Sequence, residues 1–265
     1  MDEIKKNIDV IIPCYNVEET IEDCIKSLCN QSLSKNEYNC YFINDCSKDS
    51  TGVILDKYKS IENINVIHHK ENQGLAMTRN EGIKAGDSKM IAFLDGDMVV
   101  KKSWLESFLP YFNKSVVAVM GDNTAPQDIS LNPVEKYYFG NLRGARKYKD
   151  GEKIPFQYML FGNAMLKRIV LQECGYFDES MKKYGGEDTD LSARIWNVYP
   201  KSFVFSKNSD SVHYHRRNLS EFCNSMYTYG KYNLPLLIKK HPHYKKRFAT
   251  DWIFRFKGRL LFSLP

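Results

Sequence analysis

The segment Met90-Ile-Ala-Phe-Leu-Asp-Gly-Asp-Met98 predicts the centre of the fold. Its first five residues are all apolar, which is typical of a parallel strand buried on both faces of its sheet. Asp95 and Asp97 follow at the carboxyl end of this strand, where open α/β sheets bind their ligands. Two carboxylates separated by one glycine can share a divalent cation with a phosphate-bearing substrate, although Asp and Gly are also ordinary turn residues.

Three strand–loop–helix units precede this segment, with predicted strands over residues 8–12, 40–43 and 65–68. The first strand is expected to stop at Pro13, because proline cannot donate a hydrogen bond to a central sheet. Asn16 and Glu19 have the spacing of a capping box, and Gly86 is expected to close the third helix at the C′ position. The repetition, with every polar loop at the carboxyl end of its strand, predicts a right-handed nucleotide-binding half-sheet.

The sequence also excludes several classes of protein. It has neither the Gly-x-Gly-x-x-Gly of dinucleotide enzymes after the first strand nor the phosphate loop of NTPases. The seven cysteines are odd in number and show no paired metal-type spacing, so we expect free thiols in a reducing compartment. No signal-peptide core precedes Pro13, and no window reaches the ~18 apolar residues of a membrane span. A cytoplasmic protein is therefore expected.

Basic residues are concentrated at the end of the chain. Residues 216–265 contain 11 Lys and Arg against 2 Asp and Glu, whereas residues 1–215 contain 27 against 30. This asymmetry indicates an anionic partner for the basic segment. Zinc-finger spacing and RNA-binding aromatic signatures are missing, so the pattern favours an anionic membrane surface over nucleic acid.

Four motifs carry a resemblance to a known family. They are Ile11-Ile-Pro-Cys-Tyr-Asn16, Asn44-Asp-Cys-Ser-Lys-Asp-Ser-Thr51, Asn72-Gln-Gly-Leu-Ala-Met-Thr-Arg-Asn80 and Phe93-Leu-Asp-Gly-Asp97. In order and spacing, they resemble the successive motifs of the family 2 glycosyltransferases. The resemblance implies the A-type glycosyltransferase fold, a single α/β domain with a mixed, mostly parallel sheet flanked by helices, and a nucleotide-sugar donor.

The resemblance also implies roles for individual residues in the first half of the chain. Pro13 and Tyr15 would lie along the base and ribose, and Asp45 would accept the uracil N3 proton. Arg79 would approach the nucleotide. Asp95 would contact the ribose or metal-bound water, and Asp97 would be the direct metal ligand.

The segment Tyr184-Gly-Gly-Glu-Asp-Thr-Asp-Leu191 continues the resemblance. Asp188 opens a predicted helix, where unpaired amides and the macrodipole stabilise an ionised carboxylate, and the family places its general base at this aspartate. Gly186 and Glu187 are expected to face the acceptor, since the glycines allow a sugar to approach closely. Glu187 and Asp188 could instead be mere capping residues, and a helical ion pair with Arg194 explains Asp190 adequately.

Two histidines follow a predicted strand at 203–205 in the segment Ser211-Val-His-Tyr-His215. Alternating residues on a strand face the same side, so His213 and His215 could both point at a metal. The family commonly supplies one late histidine ligand here, and the spacing from Asp188 favours His215 slightly over His213. The implied cofactor is a divalent cation, Mn²⁺ or Mg²⁺.

The region 121–156 is rich in aromatic and basic residues, including Tyr137, Tyr138, Arg143 and Arg146. Aromatic rings interleaved with cations could stack on a sugar and hold the phosphate of an acceptor. A partly exposed helix with an aromatic core face would show the same pattern. The sequence does not choose between the two.

Together these features predict an inverting, metal-dependent enzyme. It would transfer one sugar from a nucleoside diphosphate donor, with UDP favoured, to a hydroxyl of a glycan or lipid-linked acceptor in surface-polysaccharide synthesis. Residues 1–215 are expected to form the catalytic domain, with a nucleotide-sugar half at 1–100 and an acceptor half at 101–215. The alternatives are a sugar-1-phosphate nucleotidyltransferase and a non-catalytic sugar-nucleotide-binding partner of another enzyme.

Residues 216–265 are expected to form a helical, basic and amphipathic C-terminal extension. Near its end, an apolar stripe at helical spacing is interleaved with cations, at Trp252, Ile253, Arg255, Phe256, Lys257, Arg259 and Leu260. Further cations lie upstream at Lys239, Lys240, Lys245, Lys246 and Arg247. Such a segment can lie in a membrane interface, although it could also pack on the catalytic domain with its lysines solvated.

Overall fold

The computed structural model describes residues 7–248, and its centre is an eight-stranded mixed sheet. The strands are β1 (Ile8–Cys14), β2 (Tyr38–Asn44), β3 (Ile64–His68), β4 (Met90–Leu94), β5 (Met98–Val100), β6 (Ala118–Thr124), β7 (Asn163–Lys167) and β8 (Phe203–His213). Their order across the sheet is β3-β2-β1-β4-β7-β6-β8-β5. The predicted α/β domain with a mixed sheet is confirmed.

The first four strands of the sheet order are parallel, as predicted, so the loops after β1, β2 and β4 meet at one edge. Antiparallel β7 then pairs with both β4 and β6, while β8 runs parallel to β6 and antiparallel to β5. Because β8 ends beside β5, its last residues come close to the loop that joins β4 to β5. This topology brings His213 to Asp97 across 116 residues of chain.

Helices cover both faces of the sheet. In the described chain they are α1 (Ile21–Cys29), α2 (Thr51–Asp56), α3 (Leu75–Ala85), α4 (Trp104–Phe108), α5 (Pro133–Tyr138), α6 (Arg168–Cys174), α7 (Glu187–Val198), α8 (Leu219–Thr228) and α9 (Leu234–Lys240). One buried cluster contains Phe93, Phe161 and Phe177, whose rings meet edge to face at 5.4–5.7 Å. The other contains Trp104 and Phe108. The core therefore fixes α3 and α7 on the face that carries Phe93.

Two details of the first unit differ from the sequence expectation. Strand β1 continues through Pro13 to Cys14, because its pairing with β4 ends at Ile11 and only the β2 side remains paired. Asn16 does not cap α1, which begins at Ile21. Its side-chain oxygen instead accepts the backbone N–H of Lys48 at 2.8 Å, which ties the loop after β1 to the loop after β2.

Gly86 follows α3 but is extended, with φ −112° and ψ 170°, so the expected left-handed C′ position is wrong. Position 86 has no room for a side chain, because a Cβ there would lie 2.2 Å from Oδ2 of the fully buried Asp9. Asp9 pairs with Arg168 at 2.5 Å and accepts the hydroxyl of Ser88 at 2.8 Å. Tight packing around this buried ion pair leaves room only for glycine.

Helices α8 and α9 are joined by a π-helical turn over Tyr229–Asn233, and α9 contacts α7 through the ion pair of Lys240 with Asp190. Lys240 lies 2.7 Å from both Asp178 and Asp190, so this cation of the predicted membrane-facing set is held in ion pairs. The apolar stripe from Trp252 to Leu260 lies outside the described residues. A domain boundary at 215 stays a prediction. No helix between residues 7 and 248 is long and apolar enough to cross a membrane.

Candidate active site

The candidate site lies at the edge where β1, β2 and β4 end. The loop after β1 carries Tyr15, whose side chain is half exposed, beside partly buried Pro13. Asp45 directly follows β2, and its N–H donates to the carbonyl of Cys14 at 2.9 Å. The structure therefore brings together three of the residues that the resemblance assigns to the base and ribose.

Asp45 is buried and held by several donors. The N–H groups of Gln73 and Gly74 donate to its two oxygens at 2.7 and 2.9 Å. Gly74 directly precedes α3 and has φ +88°, a backbone conformation that favours glycine. The segment from Asn72 to Asn80 thus orients the Asp45 carboxylate. No local sequence pattern indicates this contact.

His69 is a site residue that the sequence reasoning missed. Its Nδ1 lies 2.7 Å from an Asp45 oxygen and its Nε2 lies 2.6 Å from Glu81 on α3. The imidazole is therefore clamped between two carboxylates and fixes the orientation of Asp45. Its position directly after β3, at the same edge as the other polar loops, was the signal that could have identified it.

Asp95 and Asp97 lie on either side of a tight turn between β4 and β5. The N–H of Asp95 donates to the carbonyl of Gly162 at 2.9 Å, and the N–H of Met98 donates to the Asp95 carbonyl at 3.1 Å. The Asp95 side chain approaches the backbone of Gly162 so closely that a Cβ at position 162 would lie 2.5 Å from Asp95 Oδ2. The turn sends the two side chains to different partners.

Asp97 faces both predicted histidines. Its Oδ2 lies 3.2 Å from His213 Nε2 and 3.5 Å from His215 Nδ1, and the two imidazoles stack at 5.8 Å. Burial opposes ionisation of Asp97, but the hydrogen bonds and charges of His213 and then His215 outweigh it and hold its pKa well below the ordinary value. An ionised carboxylate with two imidazoles is thus assembled from distant segments. We call these three residues the metal corner.

The metal corner fits a divalent cation in two respects. Asp97 Oδ1 and His213 Nδ1 are buried and lack a hydrogen-bond partner among the described residues. Carboxylate and imidazole groups are ordinary ligands of Mn²⁺. In the described chain no group of three or more His, Cys, Asp or Glu side chains is arranged to hold a metal by itself. Such an incomplete set is typical of cations that take their remaining ligands from substrate phosphates.

Arg79 connects the two halves of the site. It is 1% exposed on α3, and its guanidinium donates to Asp188 at 2.8 Å and to Asp95 at 3.1 Å. The ring of Phe177 lies 5.2 Å from it. Burial works against its charge, yet Asp188 and Asp95 outweigh this effect and raise its pKa. The predicted nucleotide-contacting arginine therefore lies between the two carboxylates.

Asp188 opens α7, as predicted, and its largely buried side chain keeps 13% exposure. Its Oδ2 accepts the N–H of Phe161 at 3.2 Å. Burial raises the pKa of Asp188 more than Arg79 and this hydrogen bond lower it. The expectation from the helix terminus alone, that the charged form is favoured, is therefore wrong in direction. For Glu187, burial followed by the charge of Asp188 raises the pKa to about 7.

The loop before α7 is held by a residue that the sequence reasoning missed. Asn233 donates to the carbonyls of Lys183 and Gly185 at 2.7 and 2.6 Å. Gly186, the residue preceding α7, has φ +103°, which favours glycine. Since Asn233 comes from the turn between α8 and α9, the C-terminal helices help to position the start of α7.

Asp190 is structural. It is fully buried and pairs with Arg194 at 2.9 Å, as its i,i+4 spacing predicts. Lys240 and His241 also lie at 2.7 and 2.9 Å from its other oxygen. With every oxygen engaged, Asp190 has no access to a substrate proton.

Comparisons with known proteins agree with this architecture. The family model described as Glycosyl transferase family 2 matches residues 9–175. A relative named for teichuronic acid biosynthesis, the glycosyltransferase TuaG of Bacillus subtilis (strain 168), is 37% identical over 139 residues, covering 49% of this chain and 54% of its own. This chain therefore spans only about half of that relative.

Solved structures show the same fold. S. aureus TarS 1-349 in complex with UDP has a TM-score of 0.62 at 20% identity, covering 83% of this chain and 63% of that one. The mannosyltransferase PcManGT from Pyrobaculum calidifontis, in complex with GDP-Man and Mn²⁺, has a TM-score of 0.65 at 14% identity, covering 89% and 65%. With the family model spanning more than half of its residues, the chain belongs to glycosyl transferase family 2.

Proposed function

We propose that this chain is an inverting, metal-dependent glycosyltransferase that moves one sugar from a UDP-linked donor to a hydroxyl of a glycan or lipid-linked acceptor. One observation carries the proposal. Arg79 joins Asp188 to Asp95, and Asp95 lies two residues from the metal corner, so a candidate base and a candidate cation site share one cleft. Surface-polysaccharide assembly is the proposed setting, in line with the named role of TuaG.

In this proposal Asp188 deprotonates the acceptor hydroxyl. The acceptor oxygen forms a bond to the anomeric carbon as the bond to the donor diphosphate breaks, and attack from the opposite face inverts the configuration. A general base works best when its pKa lies near the working pH, and burial moves Asp188 in that direction. Arg79 keeps the carboxylate oriented while its other donor binds Asp95.

The leaving diphosphate would lie at the metal corner. Asp97 and one of the two histidines would hold Mn²⁺ or Mg²⁺ there. A bound cation supplies charge neutralisation for the departing phosphate, a large electrostatic demand of such reactions.

The preference for uracil rests on Asp45. A carboxylate offers about four lone-pair sites, and His69, Gln73 and Gly74 occupy three of them. One site remains to accept an N3–H from the base. The same arrangement suits thymine, which presents the same N3–H.

The proposed function is tested by donor binding and by the leaving group. With Mn²⁺ present, UDP at 100 times its dissociation constant should stabilise the folded chain by about 2.7 kcal/mol, a rise of about 5–10 °C in Tm. With a UDP-sugar, the purified chain should slowly release UDP, whereas a nucleotidyltransferase would release or consume diphosphate. Binding without any UDP release would identify a non-catalytic nucleotide-sugar-binding protein.

We further propose that the basic C-terminal segment binds an anionic membrane surface from the cytoplasmic side. Lys239 and Lys246 are exposed, and each cation near such a surface contributes about 1 kcal/mol. The double variant Lys239→Gln/Lys246→Gln should therefore bind vesicles of anionic phospholipid about 30-fold more weakly at low salt. Lys35→Gln/Lys114→Gln removes two exposed charges elsewhere and serves as the control. Equal partitioning of both double variants in a sedimentation assay contradicts this proposal.

A further inference from the structure

Within the part of the chain that the structure describes, the guanidinium groups of two arginines beside the metal corner lack a carboxylate partner. The guanidinium carbons of Arg143 and Arg217 lie 4.4 and 5.1 Å from the ring centre of Tyr138. The neighbouring Arg146 and Arg216 each pair with a carboxylate, but between residues 7 and 248 no carboxylate oxygen lies within 4.0 Å of the guanidinium nitrogens of Arg143 or Arg217. The backbone N–H of Arg217 does donate to Glu135, at 3.3 Å. A guanidinium that stacks on a ring and keeps free donors is suited to bind a phosphate.

These two cations lie close to the proposed transfer centre. The Tyr138 ring is 6.3 Å from the ring of His213, which contacts Asp97. Arg217 also donates to the hydroxyl of Tyr184 at 2.9 Å, in the loop that leads into α7 and the proposed base. An anion held by the arginines would thus be separated from the metal corner by one aromatic ring.

An apolar groove adjoins the arginines through Tyr137. It lies between α5 and α8, has a volume of about 410 Å³, and is lined mainly by Pro133, Val134, Tyr137, Leu219 and Phe222. Tyr137 and Leu219 are 60% and 64% exposed, which is unusual for large apolar side chains on neighbouring helices. Arg143 lies 5.0 Å from the ring of Tyr137, so the groove continues directly into the cation pair.

We propose that the groove and the arginine pair bind one molecule, an acceptor saccharide linked through phosphate to a hydrocarbon chain. This deepens the proposed function and rests on it, because it assigns the acceptor class for the same transfer. The order on the protein is apolar groove, unpaired cations, metal corner. An amphiphile with its phosphate between chain and sugar has the same order, so its charge and its apolar surface are both complemented.

Other ligands match only part of this surface. A phosphodiester polymer would use the arginines and leave the groove empty. A neutral apolar molecule would fill the groove and leave the cations unpaired. The geometry therefore points to a lipid-phosphate acceptor, with the hydrocarbon chain along α5 and α8.

Binding of farnesyl phosphate tests this assignment, using the full chain with saturating UDP and Mn²⁺ so that the donor site is filled. Calorimetry should show at least tenfold tighter binding of farnesyl phosphate than of farnesol or inorganic phosphate. Arg143→Gln/Arg217→Gln should weaken it at least tenfold. Tyr137→Ser/Leu219→Ser, which changes only exposed groove residues, should do the same.

Matched controls separate these effects from general changes. Lys35→Gln/Lys114→Gln removes the same charge, and Ile169→Ser removes an exposed apolar side chain from α6; both should bind farnesyl phosphate as the unaltered chain does. Equal binding by the arginine double variant overturns the assignment. So does oligo(glycerol phosphate) binding as tightly as farnesyl phosphate, which would identify a phosphodiester acceptor. The thermal shift with UDP and Mn²⁺ reports the donor site separately, so loss of that shift would count against the proposed function instead.

Discussion

Asp188→Asn should lower turnover by 10²- to 10⁴-fold, the usual contribution of a general base, while donor affinity stays within a few-fold. The amide oxygen can accept only one of the two donors that Asp188 binds, the N–H of Phe161 or the Arg79 guanidinium, while Arg79 keeps its contact with Asp95. The variant therefore loses the proton acceptor and one hydrogen bond of the carboxylate. Steady-state kinetics and UDP binding, on protein shown to be folded by circular dichroism, measure the two effects separately.

Glu187→Gln is the matched control for this substitution. Both residues are buried acids at the start of α7, and burial together with the Asp188 charge raises the pKa of Glu187 to about 7. Because the charge of Asp188 raises the pKa of Glu187, Asp188 ionises first and Glu187 is neutral over the pH range in which it does so. Glu187→Gln should therefore keep most of the turnover and leave the acid limb of the kcat profile unchanged. In the unaltered chain, activity should fall as pH drops and the pair takes up protons.

The opposite pattern would reassign the base. If Asp188→Asn turned over normally while Glu187→Gln did not, the base would be Glu187. Asp190 is not a candidate, because Arg194, Lys240 and His241 occupy its oxygens in the protein interior. The structure thus reduces the choice to two adjacent residues on α7.

The parallel half of the sheet could be predicted because each of its strands and loops shows in a short, continuous stretch of sequence. Buried parallel strands give uninterrupted apolar runs, and the polar loops that follow β1, β2 and β4 must meet at one edge. Histidines near Asp97 were expected at both 213 and 215, with His215 slightly favoured, but strand alternation accounts for only part of this because β8 ends at His213 and His215 lies beyond it. For the loops after the parallel strands, the order and direction of the strands determine which polar groups meet at one edge of the sheet.

The contacts between the halves of the site could not be predicted in the same way. Arg79 and Asp188 are separated by 109 residues, and no sequence pattern around either residue predicts their contact. The direction of the Asp188 pKa shift was wrong for a related reason. A helix terminus favours a charged carboxylate, but the desolvation that outweighs it comes from packing, which the sequence does not show.

Asp97→Asn should abolish the effect of Mn²⁺ on donor binding. Asp97 is the only carboxylate of the metal corner, and removal of a direct ligand should weaken metal affinity by at least about 100-fold, since changes outside the first layer of ligands already cost 10- to 100-fold. UDP affinity should then be the same with and without Mn²⁺. Asp23→Asn, which removes an exposed charge on α1, should keep the full Mn²⁺ dependence.

Variants of the two histidines test which of them holds the proposed cation. His213 is buried and its Nδ1 has no hydrogen-bond partner among residues 7–248, whereas the side chain of His215 is 45% exposed, so the two differ in how firmly they are fixed. A fixed ligand loses less entropy on binding, and His213→Gln should therefore reduce Mn²⁺-dependent UDP affinity more than His215→Gln does. The reverse ranking would make His215 the ligand. Unchanged Mn²⁺ dependence in Asp97→Asn would place the cation elsewhere and remove the basis for diphosphate departure at this corner.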